Sequence, residues 1–254
     1  MASSHEGDDR AADPAGTAPH DADAAVVRGQ EPSSIRTPLT QERIVDAAVE
    51  FIDDFGLPGL SMRRLGTRLG VEAMSLYRYV PGREQLLDAV VERIIDQMEA
   101  DPDVLEGPEH GWQDYLQRLA HGIRRVALAH PKAFPLVASR PAEAPWLRPP
   151  LRSLRWVEAF LQGLAREGFS DQAAVEAYRA FTSFLLGHLL LEVAALGADL
   201  GPLDVVDEDV DRSLAPYPSV RRLTDQLSED HSATEFEDSL ENLLQRLALI
   251  RTEN

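Results

Sequence analysis

Between Leu39 and Leu87 the chain reads LTQERIVDAAVEFIDDFGLPGLSMRRLGTRLGVEAMSLYRYVPGREQLL, and its order of caps, breaks and periodicities admits few folds. Leu39 and Ile44 flank Thr40 as a hydrophobic staple flanks an N-cap. Ile44, Val45, Ala48, Ile52 and Phe55 recur at helical spacing, and Gly56, with Pro58 beyond it, stops that helix. Leu60, Ser61 and Leu65 repeat the staple and cap, with Leu65 and Leu69 facing inward and Gly70 supplying a turn of positive φ. A third segment, Ala73 to Tyr79, is too short to be helical alone and has to pack on the other two. Helix, tight glycine turn, helix is the helix-turn-helix arrangement, whose second helix enters the major groove of DNA.

Gly56, the run L-P-G-L-S-M-R-R-L from Leu57 to Leu65, L-G-V at 69–71 and S-L-Y-R-Y-V at 75–80 stand in an order that resembles the tetracycline-repressor (TetR) family. Arg83, Leu86 and Leu87 continue it into the next helix. The resemblance implies a DNA-binding head at the N-terminal end of a regulator.

The chemistry of the recognition segment agrees with that expectation. Ala73, Met74, Ser75, Tyr77, Arg78 and Tyr79 are the candidate DNA contacts. Arg78 has the fork that pairs with guanine O6 and N7, while Ala73 and Met74 offer apolar surface to thymine methyls. Ser75, Tyr77 and Arg83 suit phosphates, which fix register without reading sequence. Thr40 and Arg63, at helix starts, resemble family positions that touch DNA, and Arg36 is a further candidate from the preceding arm. Leu76 and Val80 fall inward, and Tyr79 is equally readable as core.

A formal charge of −18 over 254 residues looks wrong for a DNA binder. Within 61–83, however, Arg63, Arg64, Arg68, Arg78 and Arg83 stand against Glu72 alone, leaving +4 locally. Binding follows the field within a Debye length of about 10 Å, not the total. The acidity lies in the N-terminal tail, in 197–211 and in 225–241, where it weakens non-specific attraction to DNA.

The chain has no cysteine, so disulfides and zinc–thiolate sites are excluded; a reducing, cytoplasmic location is expected. No apolar run reaches the ~18 residues of a membrane span. Residues 1–35, rich in Ala, Asp, Gly, Pro and Ser, bury too little to order and are expected to be a disordered acidic tail. Residues 36–82 form the expected head, and 83–254 a helical regulatory and dimerisation domain. No strand-like alternation persists, so the fold class is all-α. Helices are expected at 83–100, 109–129, 132–139, 150–167, 171–196, 217–227 and 234–251, the last behind a Thr234–Glu237 capping box. The segment 197–216 reads as a mobile acidic loop.

GWQDYLQRLAHGIRRVALAHP, SRP at 139–141 and REGFS at 166–170 further resemble the regulatory domain of the tetracycline repressor subgroup. That resemblance implies a homodimer held by a four-helix bundle of the helices near 171–196 and 234–251. The apolar residues that would build it are Ala174, Tyr178, Phe181, Leu185, His188 and Leu189, with Phe236, Leu240, Leu243, Leu244, Leu247 and Ile250; ordinary intrachain core is the alternative. A largely apolar effector pocket is expected among Trp112, Leu119, Ile123, Phe134, Leu136, Trp156, Phe160, Phe181 and Leu185. The subgroup's tetracycline site is altered: Leu136 stands where a magnesium-binding histidine is expected, Leu119 replaces an asparagine and Glu99 a histidine that contact the drug.

These readings converge on a repressor that binds a palindromic double-stranded operator and is released by a small molecule, with no cofactor and no bound metal. An activator of the same fold is the alternative. His188 and Glu192, four apart on a helix, are the one pair that would suit a metal-dependent enzyme, and two groups make an incomplete site. An architectural protein without a ligand would leave the long apolar-patterned C-terminal part unexplained.

Overall fold

A computed structural model of the chain describes residues 38–140, 147, 153–199 and 216–253. The tail at 1–35, Arg36 and most of the acidic loop at 197–216 lie outside them. Twelve α-helices and no strand occur among the described residues. None of those helices is long and apolar enough to cross a membrane.

The head begins with α1 (Gln41–Phe55), whose cap Thr40 accepts from the Arg43 N–H at 3.2 Å. Gly56 ends it at φ 77°, donating its N–H to the Ile52 carbonyl at 2.7 Å. A 3₁₀ turn (Leu57–Gly59) leads to α2 (Met62–Leu69), capped by Ser61. The turn after it uses Gly70 in the left-handed region, φ 69°. α3 (Ala73–Leu76) is shorter than the expected 73–79, because residues 77–79 continue as an irregular turn in which the Tyr79 and Val80 N–H groups both donate to the Leu76 carbonyl. Phe55 departs from its expected inward place. It sits at the last turn of α1, beyond the reach of the core, and is 56% exposed. Its ring meets Phe51 at 4.9 Å and the Arg64 guanidinium at 5.5 Å.

α4 (Arg83–Ala100) buries Leu86, Leu87, Val90, Val91 and Ile94 and packs on α1 as well as on the helices that follow. A turn that sequence periodicity misses, α5 (Pro102–Leu105), is nucleated by Asp101 accepting from the Asp103 N–H. α6 (Trp112–Ala129) starts three residues later than expected, after Gly111 at φ 98°. α7 (Pro135–Ser139), α8 (Leu154–Arg166) and α9 (Asp171–Ala195) follow, the last two capped by Ser153 and Ser170. The expected helix at 217–227 is two pieces, α10 (Pro218–Arg222) and α11 (Thr224–Ser228). α12 (Ser232–Glu253) begins before Thr234, so the expected capping box does not form; Asp230 instead accepts from the Ser232 N–H at 3.1 Å.

One continuous apolar core runs from α1 through α4 into α12. Burial of each such Leu, Ile or Phe contributes about 1.5–3 kcal/mol. In the body, α8, α6 and α12 all pack against α9. Ala174, Tyr178, Phe181, Leu185 and Leu189 of α9, like Phe236, Leu240, Leu244, Leu247 and Ile250 of α12, are buried within the chain. Most of the residues expected to build a dimer bundle are therefore intrachain core, since α9 and α12 turn these stripes toward their own neighbours, while His188 and Leu243 are half-buried. Leu191 and Leu196 of the α9 end and Leu249 of α12 face outward instead.

Around Phe160 the rings of Trp156, Tyr178 and Phe181 gather at 5.3, 5.9 and 5.5 Å. Burial pushes the Tyr178 phenol up to about 12, a rise that contact with Thr182 partly offsets. With a folded-state value above the ~10 of an unfolded tyrosine, the stability tied to the neutral phenol is full below that pH and lost as pH climbs toward 12. Tyr178→Phe is accordingly expected to flatten the alkaline fall in Tm relative to wild type, by the equivalent of about 2–3 kcal/mol across this window. Equal slopes for the two proteins would refute it.

Candidate nucleic-acid interface and effector cavity

Two places in the molecule hold the candidate functional residues. At the head, burial of Leu76 and Val80 in the apolar core turns the rest of the recognition segment outward. Met74 is 75% exposed, Tyr77 and Tyr79 are each about two-fifths exposed, and Arg78 stands between them in solvent. Ala73 and Ser75 are half-buried beside them, and Thr40 and Arg63 are exposed at their helix starts.

The five arginines counted as a local field are not equivalent. Arg68 ion-pairs with Asp54 at 2.7 Å and Glu50 at 3.2 Å, and these carboxylates hold its guanidinium above the usual arginine range. Arg64 donates to the Gly59 carbonyl at 2.8 Å and covers the Phe51 ring at 4.9 Å. Arg83 spans the Leu57 and Leu60 carbonyls at 3.5 Å each, long contacts that leave it half in solvent. The guanidinium groups of Arg63 and Arg78 have no hydrogen-bond or ion-pair partner among the described residues, though the Arg63 carbonyl accepts from the Thr67 hydroxyl at 3.1 Å. Sequence spacing cannot separate these roles, because each depends on a carboxylate, ring or carbonyl from another turn.

The turn itself depends on Gly66, which sequence reading passed over. A Cβ there would stand 2.8 Å from the Val71 carbonyl oxygen and 3.2 Å from the Ala73 nitrogen. The Val71 N–H donates back to the Gly66 carbonyl at 2.9 Å, so the two backbone segments are closed on each other. A signal was present: a small residue one turn before Gly70 on the inward face of α2.

The second place is a cavity of about 50 Å³ between α4, α6, α7, α8 and α9. Its walls are Ile95, Met98 and Glu99 of α4, Ile123, Phe134, Val137, Ser153, Trp156, and Thr182, Leu185 and Leu186 of α9. Of the nine residues expected at a pocket, Ile123, Phe134, Trp156 and Leu185 meet here. Trp112, Leu119, Leu136, Phe160 and Phe181 do not line it; they are core, Trp112 standing edge-on to Phe169 at 5.1 Å. An apolar stripe reports which way a helix faces and not where its neighbours leave a gap. Glu99, singled out at a family ligand position, does line the cavity. It accepts from the Ser153 hydroxyl at 3.0 Å and pairs with Arg155.

Between the two places runs a polar bridge. His130 Nδ1 lies 2.7 Å from Asp53 Oδ2 on α1, and its Nε2 lies 2.7 Å from Gln97 Oε1 on α4. Lys132 adds a hydrogen bond to the Asp54 carbonyl. At the other end of α4, Arg140 grips Glu84 at 2.7 Å and Asp88 at 2.8 Å.

His188 and Glu192 do not form a metal site. Arg124 takes both Glu192 oxygens, at 2.5 and 3.0 Å, and His188 Nε2 is 3.9 Å from the carboxylate. Among the described residues no group of three or more His, Asp or Glu is placed to hold a metal.

The family model of bacterial regulatory proteins, tetR family, matches residues 44–90, and that of the tetracyclin repressor-like C-terminal domain matches 106–249. The chain is 34% identical to the HTH-type transcriptional repressor DrrR1 of Streptomyces coeruleorubidus over 63% of its own length and 56% of that protein's. It is similar to the crystal structure of a possible TetR family transcriptional regulator from Streptomyces coelicolor A3(2), at 30% identity and TM-score 0.63, covering 83% of this chain and 99% of that one. It is also similar to the Streptomyces coelicolor TetR family protein ActR in complex with (S)-DNPA, at 25% identity and TM-score 0.59, covering 83% and 98%.

Proposed function

Because this chain belongs to the TetR family of transcriptional regulators, a family of DNA-binding proteins and not of enzymes, we propose that it acts as a homodimeric repressor freed from a palindromic operator by a small molecule. The observation that carries the reading is the recognition segment: Leu76 and Val80 are buried, and the side chains between them face solvent, with the Arg78 guanidinium lacking a protein partner among the described residues. Two such segments in a symmetric dimer would enter major grooves about 34–36 Å apart. The outward Leu191, Leu196 and Leu249 are the apolar surface on α9 and α12 that a second subunit would cover.

Release follows from α4. One end of this helix packs on the head and the other contributes Ile95, Met98 and Glu99 to the cavity. At about 50 Å³ the cavity is smaller than the ~300 Å³ at which drug-sized pockets begin, so an effector has to push its walls apart. Displacing α4 changes the separation of the two heads, and the His130 bridge carries the same movement to α1. Only an effector that prefers the displaced state drives release, and a coupling of about 1–3 kcal/mol is typical. That the similar protein ActR is solved in complex with (S)-DNPA supports a small-molecule effector for this chain.

Substitution tests the contacts. On an operator recovered by selection from random duplexes, Arg78→Ala is expected to lose about 1–3 kcal/mol and to relax preference at one base pair. Arg83→Ala is expected to weaken all sequences alike and to flatten the salt dependence. Equal, sequence-independent losses from both variants, measured by fluorescence anisotropy, would remove Arg78 from direct readout.

A further inference from the structure

We infer that the effector is a lipophilic organic cation, held with its ammonium or iminium group between Glu99 and the face of Trp156. The inference rests on the cavity being the effector site and names the chemistry that site selects. Among the described residues, Glu99 is the one charged side chain on its lining; the other described walls are aliphatic, thioether or aromatic apart from the Ser153 and Thr182 hydroxyls. The carboxylate is held in place from outside, by the Ser153 hydroxyl on Oε1 and by Arg155 on Oε2.

Arg155 does not line the cavity. It is 74% exposed, and it also faces Asp96 at 3.9 Å, so two carboxylates share one guanidinium at this edge. A ligand arriving from the apolar side therefore meets negative charge whose counter-ion is turned to solvent. Trp156 completes the site, its ring stacked on Phe160 at 5.3 Å and its indole part of the wall. A carboxylate and an indole lining one cavity can together recognise a cation, through charge and ring quadrupole. An anionic ligand gains neither and sets a second negative charge in a low-dielectric space. Thr182, beside the Tyr178 phenol, adds a hydroxyl to the same lining.

The test uses the full chain and three probes on one skeleton: anthracen-9-ylmethylammonium, anthracene-9-methanol and anthracene-9-carboxylate, titrated by tryptophan fluorescence and calorimetry. The ammonium is expected to bind at least about tenfold tighter than the carboxylate, with the alcohol between them. Glu99→Gln, which keeps a group for Ser153 to donate to, is expected to bring the ammonium within about threefold of the alcohol while the alcohol's affinity is unchanged. Arg155→Ala, at an exposed position with little folding risk, is expected to tighten the ammonium further. Carboxylate binding equal to or better than ammonium, or a charge preference that survives in Glu99→Gln, would overturn the inference while leaving the cavity as the effector site. If none of the three probes bound, the cavity assignment itself would fall, and the inference with it.

Discussion

Arg124→Leu is expected to destabilise the folded chain by about 3–5 kcal/mol, the largest loss anticipated for any single polar substitution here. The Glu192 side chain is only 7% exposed, and both its oxygens are held by the Arg124 guanidinium. Around them lie Phe236, whose ring the guanidinium covers at 5.0 Å, and His188, in edge contact with that ring at 5.2 Å. With the Glu192 side chain so little exposed, removing the cation strands a carboxylate in largely apolar surroundings. Urea denaturation should show a lower midpoint with an unchanged m-value. The double variant Arg124→Leu with Glu192→Leu should recover most of the loss, because the pair's net contribution is small compared with the cost of breaking it. A single-variant loss below about 1 kcal/mol, the range of an exposed pair, would show that the interior is wetter than its burial implies.

Gly66→Val is expected to abolish operator binding while leaving most of the helical content intact. The added Cβ would enter the space of the Val71 carbonyl oxygen, a backbone atom fixed by the hydrogen bond that closes the turn. It cannot swing aside as a long side chain would, so α2 and α3 have to separate. Overpacking of this kind costs about 1–3 kcal/mol, and here the strain falls on the geometry that presents Arg78. Hydrogen exchange should quicken at the amides of α2 and α3 before those of α9 and α12. Gly66→Ala, with the same Cβ but no branch, should be intermediate. Operator affinity within threefold of wild type for Gly66→Val would show the turn to be softer than proposed.

The head was largely legible in the sequence because its signals are local. Thr40 and Ser61 cap the helices assigned to them, Gly70 takes the left-handed turn, and Leu76 and Val80 point inward. Each of these is set by residues within one helical turn. Phe55 was misjudged by the same periodicity, which has no means of marking where a core ends. In the body, the stripe from Ala174 to Leu189 was recognisable as buried, but its partner was not, and it packs inside one chain. The cavity was legible in four of its residues and in Glu99. Ile95, Met98, Val137 and Leu186 were missed because a gap arises from the mutual angles of five helices, which no single stripe encodes. The pairing of Arg68 and Arg124 was equally hidden, the latter's partner lying 68 residues away.

The imidazole of His130 has consequences for how such a protein diversifies. It joins α1 and α4 to the end of α6 through two short polar contacts, and none of these three side chains is among the proposed DNA contacts or the cavity lining. On the proposed mechanism, exchanges at positions 53, 97 and 130 should reset the dose at which genes are switched without rewriting which site is read or which compound is sensed. Lineages adapting to scarcer or more abundant inducers would be expected to accumulate their differences at this hinge before altering either recognition surface.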